Sequence, residues 1–438
     1  MKPAALLPLA LLFHAYSRCN STRQGVNSGS ARIGNVEVHK TSKVIELDAG
    51  HIGETSDCSE PIDKDSTFAI SQDFLHDIEK DLAIVIPCMD EDLSVLDGVL
   101  EGVPHDSLII IISNSAEANF QEECQFLEEY CNSTQRAAIV VHQQNPRLAW
   151  AFENAGMSAL VEHDADTHTP HVRHGKGEAM MIGTTLAHLS NKSFVGFIDA
   201  DNFVAGSVLE YCKAYAAGIH YARHCTDSDD PYAMIRIKWN SKPKVRDNEL
   251  VFEKSGRSSR VVNHWMNRLF SYLISTAHSD GAGRQDIIQT ANAGEHAMST
   301  ALALRILFTS GYAVEPYQLI ALWSYFNTSS HTVQVLQIET RNPHFHDCSK
   351  GDGNIQRMQA GGLGTIYHSE LTPPGLRDGW LAGVTVYPPL SDMDFDVFRK
   401  SVKGGGGTMK MFGIEWAEDG KVKAKAKEDF ERLWIVME

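Results

Sequence analysis

Several features are scarce in this 438-residue chain, and each scarcity excludes something. No Cys-x-x-Cys pair occurs among its eight cysteines, at positions 19, 58, 88, 124, 131, 212, 225 and 348, so neither a zinc ribbon nor a disulfide-stapled fold is indicated. Buried free thiols are expected instead. Basic charge is short: 39 Lys and Arg against 56 Asp and Glu leave a formal net charge of -17. That balance excludes a general nucleic-acid or anionic-membrane binder, which needs a broad basic face. The early apolar run from Ala4 to Phe13 is too short to span a bilayer. The Gly404 to Gly407 run lacks the Gly-Lys-Ser/Thr ending of a phosphate-binding loop and reads as a linker to a charged tail. What is present, 43% hydrophobic and 22% charged residues, belongs to a folded chain with a sizeable core, neither disordered nor collagen-like nor multi-pass.

The first residues carry a targeting question. Ala4 to Phe13, followed by Ala15-Tyr16-Ser17, has the outline of a secretory signal, and Asn20, Asn132, Asn191 and Asn327 each head an Asn-x-Ser/Thr triplet. Residues 17–30 are polar and aperiodic and read as a disordered leader, with folding expected from near Ala31.

Further along, Leu82 to Ile86, Leu108 to Ile112 and Ala137 to Val141 read as buried strands, the first stopped by Pro87. Amphipathic stretches at Leu93 to Leu100 and Glu117 to Tyr130 alternate with them. Continuous apolar strands alternating with helices imply a mostly parallel α/β sheet covered on both faces. Ligands in such sheets sit beyond the carboxyl ends of the strands, which directs attention to Pro87 to Glu91, Ser113 to Ser115, and His142-Gln143. The stretch Glu162 to His174 holds four histidines, but its irregular spacing and Pro170 favour a mobile polar loop over a metal cluster. Helices are expected near Glu178 to Leu189, Val204 to Ala217, Val261 to Ile274 and His296 to Thr309, and strands at Ser193 to Ile198 and Ala233 to Ile237.

Four stretches carry chemistry. Asp199 and Asp201 lie one residue apart in the turn after Phe194 to Ile198, where two carboxylates can converge on a hard cation, Mg²⁺ first and Mn²⁺ next; turn acids also cap helices. Arg173-His174-Gly175-Lys176-Gly177-Glu178 precedes a helix and joins glycines, a helix N-terminus and formal positive charge, the ingredients of an anion site, or else a solvated basic loop. Thr290 to His296 sets Glu295 among small residues, suited either to close approach of a sugar or to an ordinary helix cap. Glu339 to His346 follows a strand-like run and offers Arg341, His344 and His346 for a phosphate or a metal, against the plainer reading of surface histidines.

Together these motifs, with Ile86-Pro87-Cys88-Met89-Asp90-Glu91, Tyr215-Ala216-Ala217-Gly218 and Lys242-Pro243-Lys244-Val245, resemble the mannosyl-3-phosphoglycerate synthase family from about Arg32 to residue 370. The resemblance implies a GT-A-type, Rossmann-like α/β glycosyltransferase with acceptor-side additions, spanning residues 31–375. Its donor half would be about 81–205 and its acceptor half about 206–375, with a leader at 1–30 and an extension at 376–438. It implies transfer of mannose from GDP-mannose to the 2-hydroxyl of D-3-phosphoglycerate with retention. Pro87, Glu91, Ser113, Asn114, Gln143 and Lys176 would then line the GDP-mannose site. Asp199, Asp201 and His346 would hold the divalent metal, Glu295 would touch the sugar, and Gly256, Arg257 and Ser259 would hold 3-phosphoglycerate.

A sugar-phosphate nucleotidyltransferase would use a similar sheet and acid pair but consume GTP and a sugar phosphate. A catalytically silent nucleotide-sugar binder would be expected to lose the acids or the histidine, and this chain keeps both. Substrate supply favours the cytoplasm over export, and a glycan at Asn191 would disturb docking of the helix before it. The oligomeric state, a homodimer included, is left open.

Overall fold

The structure is a computed structural model that describes residues 20–25, 29–50, 67–154, 158–224, 232–246, 249–253, 256–277, 286–306, 309–326, 329, 331–345 and 351–377. The glycine run and the lysine tail lie outside them, as does the possible signal at 1–17.

Its strands in chain order begin with β1 (Asn20–Gly25), β2 (Ser30–Ile33), β3 (Val36–His39), β4 (Ser42–Gly50) and β5 (Thr67–Ser71). Then come β6 (Leu82–Cys88), β7 (Leu108–Ser113), β8 (Ala138–His142), β9 (Val161–His163), β10 (Pro170–Val172) and β11 (Phe194–Phe197). The last five are β12 (Tyr232–Lys238), β13 (Lys242–Arg246), β14 (Glu249–Glu253), β15 (His296–Ser299) and β16 (Val333–Glu339). One large sheet runs in the order β5-β1-β4-β16-β12-β15-β11-β6-β7-β8, with β3 beside β16 and β2 beside β3. The stretch β11-β6-β7-β8 is parallel throughout, and β12 runs parallel to β16.

The apolar runs explain this core. Ala83, Val85, Ile110 and Ile112 pack on one face with the helices Lys176–Leu189, Arg257–Ala277 and Val314–Phe326. Leu82, Ile84, Ile86, Ile109 and Ile111 pack on the other with the helices Leu93–Gly102 and Ala205–His224. A strand buried on both faces needs no polar alternation, and each such side chain contributes about 1.5–3 kcal/mol of transfer free energy.

Four expectations are corrected. The polar stretch after residue 17 is not wholly disordered: β1 pairs with both β4 and β5, because ladder bonds are made by backbone, and its Gln24 is buried with Nε2 donating to Ser42 Oγ at 2.6 Å. Pro87 does not stop its strand. It pairs with Ile112 of β7, while β11, on the other side of β6, pairs only as far as Val85, so the missing N–H costs no ladder bond there. The histidine-rich stretch is a β9–β10 hairpin, its turn closed by Asp164 Oδ1 accepting from Thr167 N at 2.7 Å and Asp166 N at 3.0 Å. Residues 296–299 are the strand β15, inserted antiparallel between β11 and β12, and not a helix start; its buried His296-Ala297-Met298 run explains the difference.

This insertion matters for the site. The strands β6, β7, β8, β11, β12 and β16 all end on one edge, and β15, running oppositely, begins there. Glu295 therefore arrives beside Asp199.

The helix Leu93–Gly102 presses on the same edge: a Cβ at Gly98 would lie 2.2 Å from the carbonyl oxygen of Phe203, two residues past Asp201. Backbone cannot yield as a flexible side chain does. In Gly98→Ala the overpacking cost of about 1–3 kcal/mol should exceed the helical gain of alanine over glycine, about 1 kcal/mol. The urea midpoint should fall with an unchanged slope.

Candidate active site

The loops after β6, β7 and β8 are tied into one surface. Asn114 N donates to Cys88 O at 2.8 Å, and Gln143 N donates to Ser113 O at 2.6 Å. Gln143 Nε2 donates to Arg173 O at 2.6 Å and Gly175 O at 3.2 Å. Asp90, in the left-handed region at φ 56°, accepts from Ala116 N at 2.9 Å and Asn119 Nδ2 at 2.8 Å, which clamps the Pro87 to Glu91 loop onto the next one. Glu91 accepts from Met89 N at 2.5 Å. The structure thus places Pro87, Glu91, Ser113, Asn114, Gln143 and the start of the Lys176 helix along one edge. Asn114 Oδ1 and Gln143 Oε1 are buried acceptors without a hydrogen bond, groups that a ligand N–H would satisfy.

The charge centre is Lys176. Its side chain is only 11% exposed and lies between two carboxylates, forming a close ion pair with Asp199 and one of 2.6 Å with Glu315. Burial alone would push the ammonium down, but attraction and hydrogen bonds from Asp199 and Glu315 hold it well above the ordinary lysine range. The basic stretch is therefore no solvated loop. Glu178, in the first turn of the same helix, is fully buried, and burial pushes its carboxyl up despite hydrogen bonds from Ser310 and Gly311 N. A Cβ at Gly294 would lie 2.5 Å from Asp199 Oδ2 and 2.9 Å from Lys176 Nζ, so glycine there keeps the space beside the acid open. Asp199 and Asp201 share the turn after β11, and their oxygen donors fit a hard divalent cation. His346, the expected imidazole ligand, lies outside the described residues, and among the described residues no three His, Cys, Asp or Glu side chains form a complete metal cage.

Next to this centre Glu295 is fully buried. Its two oxygens accept from Asn202 Nδ2 at 2.7 Å and Trp239 Nε1 at 2.8 Å. Burial first, and then the charge of Asp199, push its carboxyl up to about 7, with Lys176 and the two donors opposing. His344 is no surface histidine: it is buried and stacks flat on Trp239, centroids 3.8 Å apart, with Nδ1 3.1 Å from Tyr211 Oη. Glu210 fixes the loop that carries it, accepting from Arg341 N at 2.6 Å and Asn342 N at 2.9 Å. Arg341 itself is exposed.

Gly256 precedes the helix Arg257–Ala277, and its carbonyl accepts from Arg260 N at 3.2 Å; Arg257 and Ser259 stand in the first turn. The Arg257 side chain lies outside the described residues. The helix is bonded to the loop before Glu295, because Asn263 donates to Gln289 O and accepts from Ala291 N, both at 2.8 Å.

Glu315, Trp239, Arg236 and Gln318 were not anticipated. A signal existed: Arg236 interrupts the apolar strand Ala233 to Ile237, and Glu315 and Gln318 interrupt the apolar helix Val314–Phe326. Buried polar residues in apolar runs are the informative exceptions.

Three comparisons bear on this arrangement. Residues 26–402 match the family model described as mannosyl-3-phosphoglycerate synthase, a span that begins earlier and ends later than the motifs alone indicated. A protein of that name from Pyrococcus furiosus is 32% identical over 409 residues, covering 87% of this chain and 97% of its own length. One from Aeropyrum pernix is 31% identical over 355 residues, covering 77% and 83% respectively. A solved glucosyl-3-phosphoglycerate synthase from Mycobacterium tuberculosis, with Mn²⁺, UDP and phosphoglyceric acid, covers 67% of this chain and 81% of its own at 15% identity and a TM-score of 0.39, a likeness too slight to assign anything here. An α/β sheet with a buried acid and lysine centre on its carboxyl edge, in a chain so matched, belongs to a glycosyltransferase. The chain is a member of the mannosyl-3-phosphoglycerate synthase family.

The pairing of Trp239 with Glu295 is testable. Burial keeps this carboxyl protonated to higher pH in the fold than in the unfolded chain, so its contribution to stability falls as pH rises from the ordinary carboxylate range through about 7. The indole N–H favours the ionised form. Trp239→Phe should therefore cost about 1–3 kcal/mol at pH 8 and less at pH 6, read from urea midpoints at the two values.

Proposed function

We propose that the chain moves mannose from GDP-mannose to the 2-hydroxyl of D-3-phosphoglycerate with retention at the anomeric carbon, releasing GDP. The observation that carries this reading is the Lys176 ammonium held between Asp199 and Glu315, beside buried Glu295, on the edge where the donor-side loops meet. The donor half is about residues 81–205, with Pro87, Glu91, Ser113, Asn114 and Gln143 lining the nucleoside and Lys176 the diphosphate. The acceptor half is about 206–375, with Gly256, Arg257 and Ser259 taking the acceptor phosphate.

Departure of GDP builds negative charge on the β-phosphate, and a preorganised ammonium at a helix N-terminus stabilises that charge more in the transition state than in the ground state. Asp199 and Asp201, with His346, would hold a divalent cation, Mg²⁺ first and Mn²⁺ next, which supplies further neutralisation of the diphosphate. Both oxygens of Glu295 already accept hydrogen bonds, and the side chain is fully enclosed. That favours a front-face route over a covalent sugar–enzyme intermediate. The bond from the anomeric carbon to the phosphate oxygen breaks, the acceptor oxygen bonds to the same face, and its proton passes to the departing diphosphate. The action is cytoplasmic in this reading, because both substrates are made and used there; among the described residues no helix is long and apolar enough to cross a membrane.

Purified protein given Mg²⁺, GDP-mannose and D-3-phosphoglycerate should yield GDP and one mannosylated phosphoglycerate with the donor's anomeric configuration, and none in excess EDTA. Formation of GDP-mannose from GTP and mannose 1-phosphate would instead indicate the nucleotidyltransferase. Arg257→Ala should cost about 2–4 kcal/mol in acceptor use and leave GDP-mannose affinity unchanged, as loss of a charge-assisted fork on the acceptor phosphate requires. Steady-state kinetics with each substrate varied would separate the two.

A further inference from the structure

Glu315 belongs to the helix Val314–Phe326, whose Val314, Leu319, Ile320 and Leu322 are all buried. A carboxylate with 1% of its side chain exposed does not persist in such surroundings without a partner, and Lys176 Nζ, 2.6 Å from Oε1, is that partner. The other oxygen, Oε2, is buried and carries no hydrogen bond. The backbone that carries the carboxylate is held from behind. Arg236 of β12, fully buried, donates Nη2 to Glu315 O at 3.0 Å, Nη1 to Gln318 Oε1 at 2.9 Å and Nε to Thr290 O at 2.9 Å. Gln318 Nε2 in turn meets His296 Nε2 at 2.9 Å. One guanidinium thereby ties the start of the Glu315 helix to the loop that ends in Glu295.

We propose that Glu315 is a positioning residue for Lys176. The inference rests on the assignment of Lys176 to the donor diphosphate. With Asp199 as its sole partner, the ammonium would follow that acid wherever it moved. With Glu315 as a second anchor, buried and on a helix start that Arg236 holds, Lys176 keeps its place when Asp199 turns to other partners, and its charge stays aimed at the leaving group. A positioning role acts on the charge that develops in the transition state, so its loss falls on kcat and not on acceptor KM.

The test is a double-mutant cycle on the full chain using Glu315→Gln, Lys176→Met and the pair, with two readouts: steady-state transfer, and calorimetric binding of GDP in Mg²⁺. Glu315→Gln is near-isosteric and should fold, which melting temperature checks; Glu315→Ala is the harsher companion. The expected result is a kcat about tenfold or more lower in Glu315→Ala, partly restored in Glu315→Gln, with the acceptor KM within about twofold of the parent. In the Lys176→Met background Glu315→Gln should add nothing further to either readout. Equal effects of Glu315→Gln in both backgrounds, or a folded Glu315→Ala with parental kcat, would overturn the proposal. Failure of the parent protein to bind GDP at all would instead overturn the assignment of the donor site on which it rests.

Discussion

A single ammonium shared by a buried carboxylate, Glu315, and a partly exposed one, Asp199, organises the carboxyl edge of the sheet. Lys176 comes from the start of a helix, Asp199 from the turn after β11, and Glu315 from the start of a helix more than a hundred residues later. A buried ion pair is weak evidence for stability, because desolvation offsets much of the attraction. Its value is positional: three segments distant in sequence are held at one point, and removing the ammonium would leave the buried Glu315 carboxylate without its partner.

The sheet makes that convergence possible. Parallel strands deliver their following loops to one edge, and the antiparallel β15 delivers its beginning to the same edge, so Glu295 enters from the opposite direction and meets Asn202 and Trp239. Arg236 and Gln318 lie behind as a polar layer in otherwise apolar surroundings. Burial pulls the Arg236 guanidinium down to about 10, still protonated at neutral pH, so it remains a cation inside the core and orders the backbone carbonyls around it.

Local signals carried part of this. The apolar runs at 82–86 and 108–112 specified a two-sided parallel core, and the acid pair after Ile198 specified a turn at its carboxyl edge. Glu315 was not legible, because a lone glutamate in an apolar helix says only that it has a partner; the partner lies 139 residues away. The same holds for Trp239, whose indole matters only through Glu295. The β15 error has a related cause. A four-residue strand inserted between two others is defined by its neighbours, and Glu295-His296-Ala297-Met298 has no periodicity of its own to distinguish it from a helix start. Pro87 misled because the rule against proline in strands assumes a partner on both sides.

The central claim is that the Lys176 centre receives the diphosphate of a nucleotide sugar. A crystal structure with GDP and Mg²⁺ tests it most directly. The account predicts the β-phosphate within hydrogen-bonding distance of Lys176 Nζ, with the Lys176–Glu315 contact kept and Asp199 turned toward the metal. GDP bound elsewhere, with the Lys176–Asp199 pair undisturbed, would contradict it.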